Sequence, residues 1–349
     1  MTTHPQFGRL LSGNPAALSA ARDALFSMPV DLDTTGQAPS PAAYSSRETT
    51  LAGSATVRGP GTFLGREMRT LTFEPCEEEG WWFNRSDRPE DLPTRVTVRN
   101  VWTTGAAVSN IVLRSGDPSN YVRMVEHIIA LRLGLGLDRV MIRVDSGDPP
   151  LFNRGSLDLV EAIESARIVD TPHPARWVTV KEPVCAVTPQ GAMLALLPCD
   201  GPAPRLRLDV GIDFKTAIGR QRIRFDLDYA QFRTGSIART NSTVGKMIFC
   251  RTIGRIFADI RNLGYTQDNL LIAGRRGYHN QPRLEHGGKA LEAAWHRAAL
   301  DLLAALALIE EGRFVGDVYS FKAGHRLDVK LLTLCTLNKL FTPFNPPAN

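Results

Sequence analysis

Apolar and polar positions alternate along the chain with two periods, and the order of those periods repeats. Over residues 67–73, Met68, Thr70 and Thr72 fall opposite Arg69, Leu71 and Phe73, and residues 95–102 are rich in Val and Thr; both stretches predict strands. Residues 123–133 change to helical spacing, with Met124, Val125, Ile128, Ile129 and Ala130 apolar, and Gly134, Leu135 and Gly136 predict the helix end. A short buried strand is expected at 139–144 and an amphipathic helix at 156–166. His173 and Pro174 mark a break. Beyond it, strands are expected at 177–180, 192–197, 205–214 and 222–228, and a helix near 245–257. A long helix over 289–310, a strand over 315–321 and a helix over 327–340 complete the pattern. Two successive strand-then-helix halves predict an α+β protein of two similar domains, residues 46–172 and 173–349, each a sheet layered against helices. Residues 1–45, rich in Pro, Ala, Ser, Gly and Thr, predict an extension. It carries one short helix over 14–26, with Asn14 as cap and Pro15 in the first turn, and a linker at 36–41.

Composition changes this picture only a little. The 349 residues suit two domains, and 43% hydrophobic with 22% charged residues is ordinary for a soluble globular protein. The net charge of +5 suits an anionic ligand such as a nucleotide. Nucleic-acid binding is not expected, because the chain has no Lys/Arg run and no recognition-helix pattern. Five scattered cysteines with no CxxC pair predict reduced thiols in a cytoplasmic protein. The N-terminus shows no secretory signal pattern, and no apolar run approaches the roughly 20 residues that span a bilayer.

Four of the seven histidines are candidates for chemistry: His127, His286, His296 and His325. Glu126 and His127 lie together in the first strong helix. Read alone, they are a chance polar pair or a metal ligand beside a carboxylate base. His296 sits among Ala, Leu and Trp, as a core histidine would. Asp301, however, is the one carboxylate in the next two turns, and a buried unpaired charge is costly. His325 follows a strand and precedes a helix, as either a surface loop residue or a catalytic one.

Together these motifs resemble the zinc-dependent UDP-3-O-acyl-N-acetylglucosamine deacetylases of lipid A synthesis. Val125, Glu126, His127 and Ile128, with residues 133–138, resemble that family's zinc-binding helix and its continuation. Residues 322–332 resemble its KSGHALNNKLL segment. Arg251, Thr252, Ile253 and Gly254 resemble RTFGF, and His296 through Asp301 resemble HKxLD. Ile212, Asp213, Phe214 and Gln221 resemble a second-domain strand signature. All fall in the family's order over residues 46 to about 340.

The resemblance implies an active site between the two domains. It implies that His127, His296 and Asp301 hold zinc, that Glu126 is the general base and that Thr252 stabilises the oxyanion. His325 would serve the leaving amine, and Arg297, in place of a lysine, would meet a phosphate or an oxyanion. The implied substrate is a UDP-linked acylated amino sugar. Its acyl chain would occupy a hydrophobic passage near 256–274 and bring peripheral contact with the inner membrane surface.

Four departures leave alternatives open. His296 and Asp301 are five residues apart where the family has four, which places them about 140° apart on a regular helix. A π-bulge would realign them; Glu292 could be the third ligand instead; or no metal binds. Phe63, expected to line the substrate site, stands where the family's GLHTG loop has a histidine, and Asn153 falls where its MDGSA has Asp. Ala305 occupies the position of the aspartate that partners the catalytic histidine. These changes keep two rival expectations: a deacetylase for another N-acyl sugar, or a catalytically silent paralogue that binds a nucleotide sugar or a protein partner.

Overall fold

The computed structural model describes residues 5–36, 45–63, 67–105, 109–256 and 264–345. Helices and sheets are interleaved in an α+β architecture with two principal sheets. The first has five strands in the order Ala55–Pro60, Met68–Pro75, Val140–Val144, Trp81–Arg85 and Thr94–Arg95. Leu71, Phe73, Trp81, Phe83, Val140 and Ile142 are buried in its core, as the alternating pattern of 67–73 requires.

The second sheet has seven strands: Arg9–Ser12, Val184–Val187, Met193–Leu197, Gly316–Phe321, Leu206–Asp213, Arg220–Asp226 and Leu32–Asp33. Both of its edges come from the N-terminal residues, each paired in parallel with its neighbour. Both faces of this sheet are covered. Val184, Ala186, Leu194, Leu196, Leu208, Val210 and Val318 belong to the main core. The alternate residues Cys185, Val187, Met193, Ala195 and Phe321 pack with Phe7, Ala21, Leu25 and Met28. A strand buried on both faces loses its polar alternation, which explains the continuous apolar runs at 184–187 and 193–197.

The N-terminal residues are therefore part of this sheet and its second layer. The helix Pro15–Phe26 starts where expected, with the Asn14 side chain accepting the Ala17 N–H at 2.8 Å. Gly211 leaves room for it, since a Cβ there would lie 2.7 Å from Leu25 Cδ1. Gly8 takes φ +65° and passes so close to the Pro183 carbonyl that any side chain would clash. The linker expected at 36–41 lies, after Gly36, outside the described residues.

Three expected elements differ from the pattern. Residues 95–102 form no single strand: Thr97 accepts the Arg99 N–H, and a 3₁₀ turn over Val98–Asn100 separates Thr94–Arg95 from Val101–Thr103. The helix expected over 123–133 begins only at Glu126, because Met124 has φ 52°; it runs as Glu126–Ile129 and then Leu131–Gly134. The expected long helix starts at Glu292, after a short strand at Lys289–Ala290. It is α-helical over Glu292–Trp295, π-helical over His296–Leu302 and α-helical again over Leu303–Leu306. Among the described residues no helix is long and apolar enough to cross a membrane.

Candidate functional site

Three elements bring the candidate residues to one pocket of about 170 Å³. The short helix Glu126–Ile129 packs against the π-helical segment and the turn that follows it. The helix His325–Leu337 begins directly after the sheet strand Gly316–Phe321. Glu126, Thr240, Asn241, Ser242, Lys246, Tyr265, His296, Asp301 and His325 all line the pocket.

His127 lines an adjoining cavity, and its Nε2 faces that of His296 at 3.2 Å. The Thr240 hydroxyl touches both, at 3.2 Å from His127 and 2.9 Å from His296. Asp301 Oδ1 lies 3.5 Å from His296 Nδ1 and 3.4 Å from His325 Nε2. One carboxylate therefore serves two imidazoles. The π turn makes this possible: on a regular helix, side chains five residues apart diverge, and the added residue per turn brings His296 and Asp301 to one side.

Burial and charge set the protonation of this cluster. Burial pushes the His127 imidazole down to about 3, assisted by the neighbouring His296, so it is neutral. Burial also resists charging of His296, but Asp301 outweighs it and raises His296 above the ordinary value. Asp301 is desolvated too, yet the facing His296 and His325 hold it well below the usual carboxylate range. Glu126 moves the other way. Burial pushes it up, and His325 together with the Ile111 N–H, 3.0 Å from Oε2, offsets only part of that. His127 Nδ1 and His325 Nδ1 are buried without a hydrogen-bond partner among the described residues.

Other expected residues are placed elsewhere. Glu292, the alternative ligand, is fully buried. It accepts from Arg239 Nε at 2.8 Å, from the Arg239 N–H at 2.9 Å and from the Arg283 N–H at 2.7 Å. The Arg297 guanidinium is buried away from the pocket, donating to Asp328 at 2.6 and 2.7 Å and to Ser320 Oγ. Thr252 is exposed just past the helix Val244–Arg251, and its hydroxyl donates to the Ile248 carbonyl at 2.7 Å. Phe63 lies under the Arg123 guanidinium, 5.1 Å from its ring centre. Part of the GLHTG-like loop, 64–65, and part of the expected acyl passage, 257–263, lie outside the described residues.

The threonine at the histidines is Thr240, which the sequence reading missed. The chain has four Arg–Thr pairs, 69–70, 233–234, 239–240 and 251–252. The available signal was Glu292, a buried carboxylate one turn before His296 that needs a cation. Arg239 supplies it and carries Thr240 to the cluster.

A buried carboxylate and three imidazoles around a polar pocket define a site for general acid–base chemistry on an α+β scaffold. The model of the LpxC family, UDP-3-O-acyl N-acetylglycosamine deacetylase, matches residues 48–336. This chain belongs to that family. It is 26% identical over 280 residues to the UDP-3-O-acyl-N-acetylglucosamine deacetylases of Brucella ovis and Brucella suis, covering 80% of this chain and 91% of theirs. The Brucella melitensis deacetylase is similar to the same extent.

Proposed function

We propose that this protein is a zinc-dependent deacetylase acting in the cytoplasm. Its substrate is the N-acetyl group of a UDP-3-O-acyl-N-acetylglucosamine-type sugar, in lipid A synthesis. The observation that carries the reading is the facing pair of imidazole nitrogens, 3.2 Å apart, with Asp301 on one ring and Glu126 in the same pocket. Two nitrogens each about 2.0–2.1 Å from one tetrahedral ion stand about 3.4 Å apart. The donor chemistry also fits, since a neutral imidazole is the form that ligates and His127 is held neutral.

Among the described residues no group of three His, Cys, Asp or Glu side chains is already arranged to hold a metal ion. His127 and His296 would hold the ion through Nε2, and Asp301 would join them by turning from its contact with His325. When bound, zinc supplies Lewis-acid polarisation of the amide and an acidified water. Glu126 would be the base that accepts a proton from the attacking water, and burial has already raised its affinity for one. The Thr240 hydroxyl, rather than that of Thr252, donates to the developing oxyanion. His325 delivers a proton to the leaving amine. The unpaired state of all five cysteines agrees with a reducing compartment. The substrate's acyl chain would hold the enzyme against the inner membrane surface.

Metal content by mass spectrometry, beside a deacetylation assay on the UDP-acyl substrate, tests this reading. About one zinc per chain, lost in His127→Ala together with turnover, is the expected result. A wild-type protein that takes up no zinc would overturn the reading in favour of a silent paralogue. Zinc with turnover only on another N-acyl sugar would move the substrate assignment, as Phe63 and Asn153 suggest.

A further inference from the structure

The pocket holds two carboxylates, Glu126 and Asp301, and a nucleoside diphosphate approaching them meets repulsion unless a cation lies nearby. Arg297, the residue expected to provide it, is buried and paired through both of its terminal nitrogens with Asp328 and Ser320. Among the described residues that line the pocket, the one lysine or arginine is Lys246. It stands in the first turn of the helix Val244–Arg251, which Thr243 caps by accepting the Lys246 N–H at 3.2 Å. The cap fixes the direction in which this turn leaves Thr240, Asn241 and Ser242, which line the same pocket. The Lys246 side chain is exposed and forms no ion pair with a described residue.

We propose that Lys246 is the specificity residue that meets the diphosphate of the nucleotide-linked substrate, in the place expected for Arg297. The proposal rests on the reading of the substrate as a UDP sugar. A lysine suits the position: a compact ammonium on a flexible stem follows a diphosphate as a point charge and needs no fixed bidentate geometry. Because it lies at the pocket rim, its contribution is screened by salt.

The test is UDP binding by calorimetry, which needs no turnover, for zinc-loaded wild type, Lys246→Ala and Lys246→Arg at low and high salt. The expected result is about tenfold weaker UDP binding in Lys246→Ala, the effect of losing one hydrogen bond to a charged group. Lys246→Arg should restore most of it, and the salt dependence should be smaller in Lys246→Ala. In steady state, the alanine variant should raise KM for the UDP substrate by a similar factor while kcat holds. Equal UDP affinity in wild type and Lys246→Ala overturns the assignment while leaving the deacetylase reading in place. Wild type that binds no UDP at all overturns the substrate reading and this assignment together.

Discussion

The pairs Arg239–Glu292 and Arg297–Asp328 are both buried ion pairs, and each removes a candidate from the chemistry. Taking away one partner of such a pair leaves an uncompensated buried charge, at a cost of about 3–5 kcal/mol. Glu292→Ala should therefore lower the thermal midpoint strongly, while the fraction that remains folded keeps its metal content. Asp301→Ala should do the reverse, because Asp301 is less deeply buried and its partners are His296 and His325. Metal analysis of both variants, each beside a melting curve, checks the pair; zinc lost from folded Glu292→Ala would sink the ligand assignment. The two threonines separate in the same way. Thr240→Val should lower kcat by about 100-fold, the scale of losing one oxyanion donor. Thr252→Val should leave kcat within twofold of wild type, since that hydroxyl is bound to the Ile248 carbonyl.

At the scale of elements, the spacing of His296 and Asp301 was legible in the sequence as a conflict with a regular helix. The π turn over His296–Leu302 is its resolution. The cap and start of the helix Pro15–Phe26 were legible for the same reason, since Asn and Pro at adjacent positions carry local information. The edge strands Arg9–Ser12 and Leu32–Asp33 were not. Each is at most four residues long and pairs with a strand more than 170 residues away, so no local pattern marks it. The choice of Arg239–Thr240 among the four Arg–Thr pairs was also non-local, settled by a carboxylate on another helix.

The second of these edges has a defined response to acid. Asp33 is desolvated, but hydrogen bonds from Thr35 and the charge of Arg224 lower it below the ordinary carboxylate value. Asp226 is desolvated as well, and Arg207 and the Gly36 N–H lower it. Carboxylates lowered in the folded state stabilise it fully above their unfolded value, about 3.9, and cease to do so as pH falls through the lower folded values. Hydrogen exchange at Thr34 and Gly36, corrected for intrinsic rates, should lose protection below about pH 4 before the central strands do. In Asp226→Asn the acid-dependent part at Gly36 should disappear. Unchanged protection of both amides down to the global acid transition would contradict the docking described for this edge.

For the whole molecule, the N-terminal layer decides whether the seven-stranded sheet can exist as described. Arg222 is buried in that sheet. It is paired with Asp209 at 2.7 and 2.8 Å and donates to the carbonyls of Leu25 and Met28 at 3.0 and 3.2 Å. The helix Pro15–Phe26 thus ends on a guanidinium that satisfies its last carbonyls, and the ion pair is shielded by that same helix. Phe7 and Phe26 close over Tyr319, with ring centres 5.2 and 5.9 Å from it. Removing residues 1–36 would expose Cys185, Val187, Met193, Ala195 and Phe321 as one apolar face and leave both sheet edges open. Open edges beside an apolar face favour association between chains. The truncated protein should therefore be recovered as aggregate, whereas a segment reserved for a partner would leave a soluble, folded remainder. Leu25→Ala offers the milder version in the full chain. Leu25 is fully buried, and its loss should cost about 3 kcal/mol in urea unfolding with metal content unchanged. A soluble, cooperatively folding protein lacking 1–36, with the stability of the full chain, would mean that this layer is dispensable and free to serve another molecule.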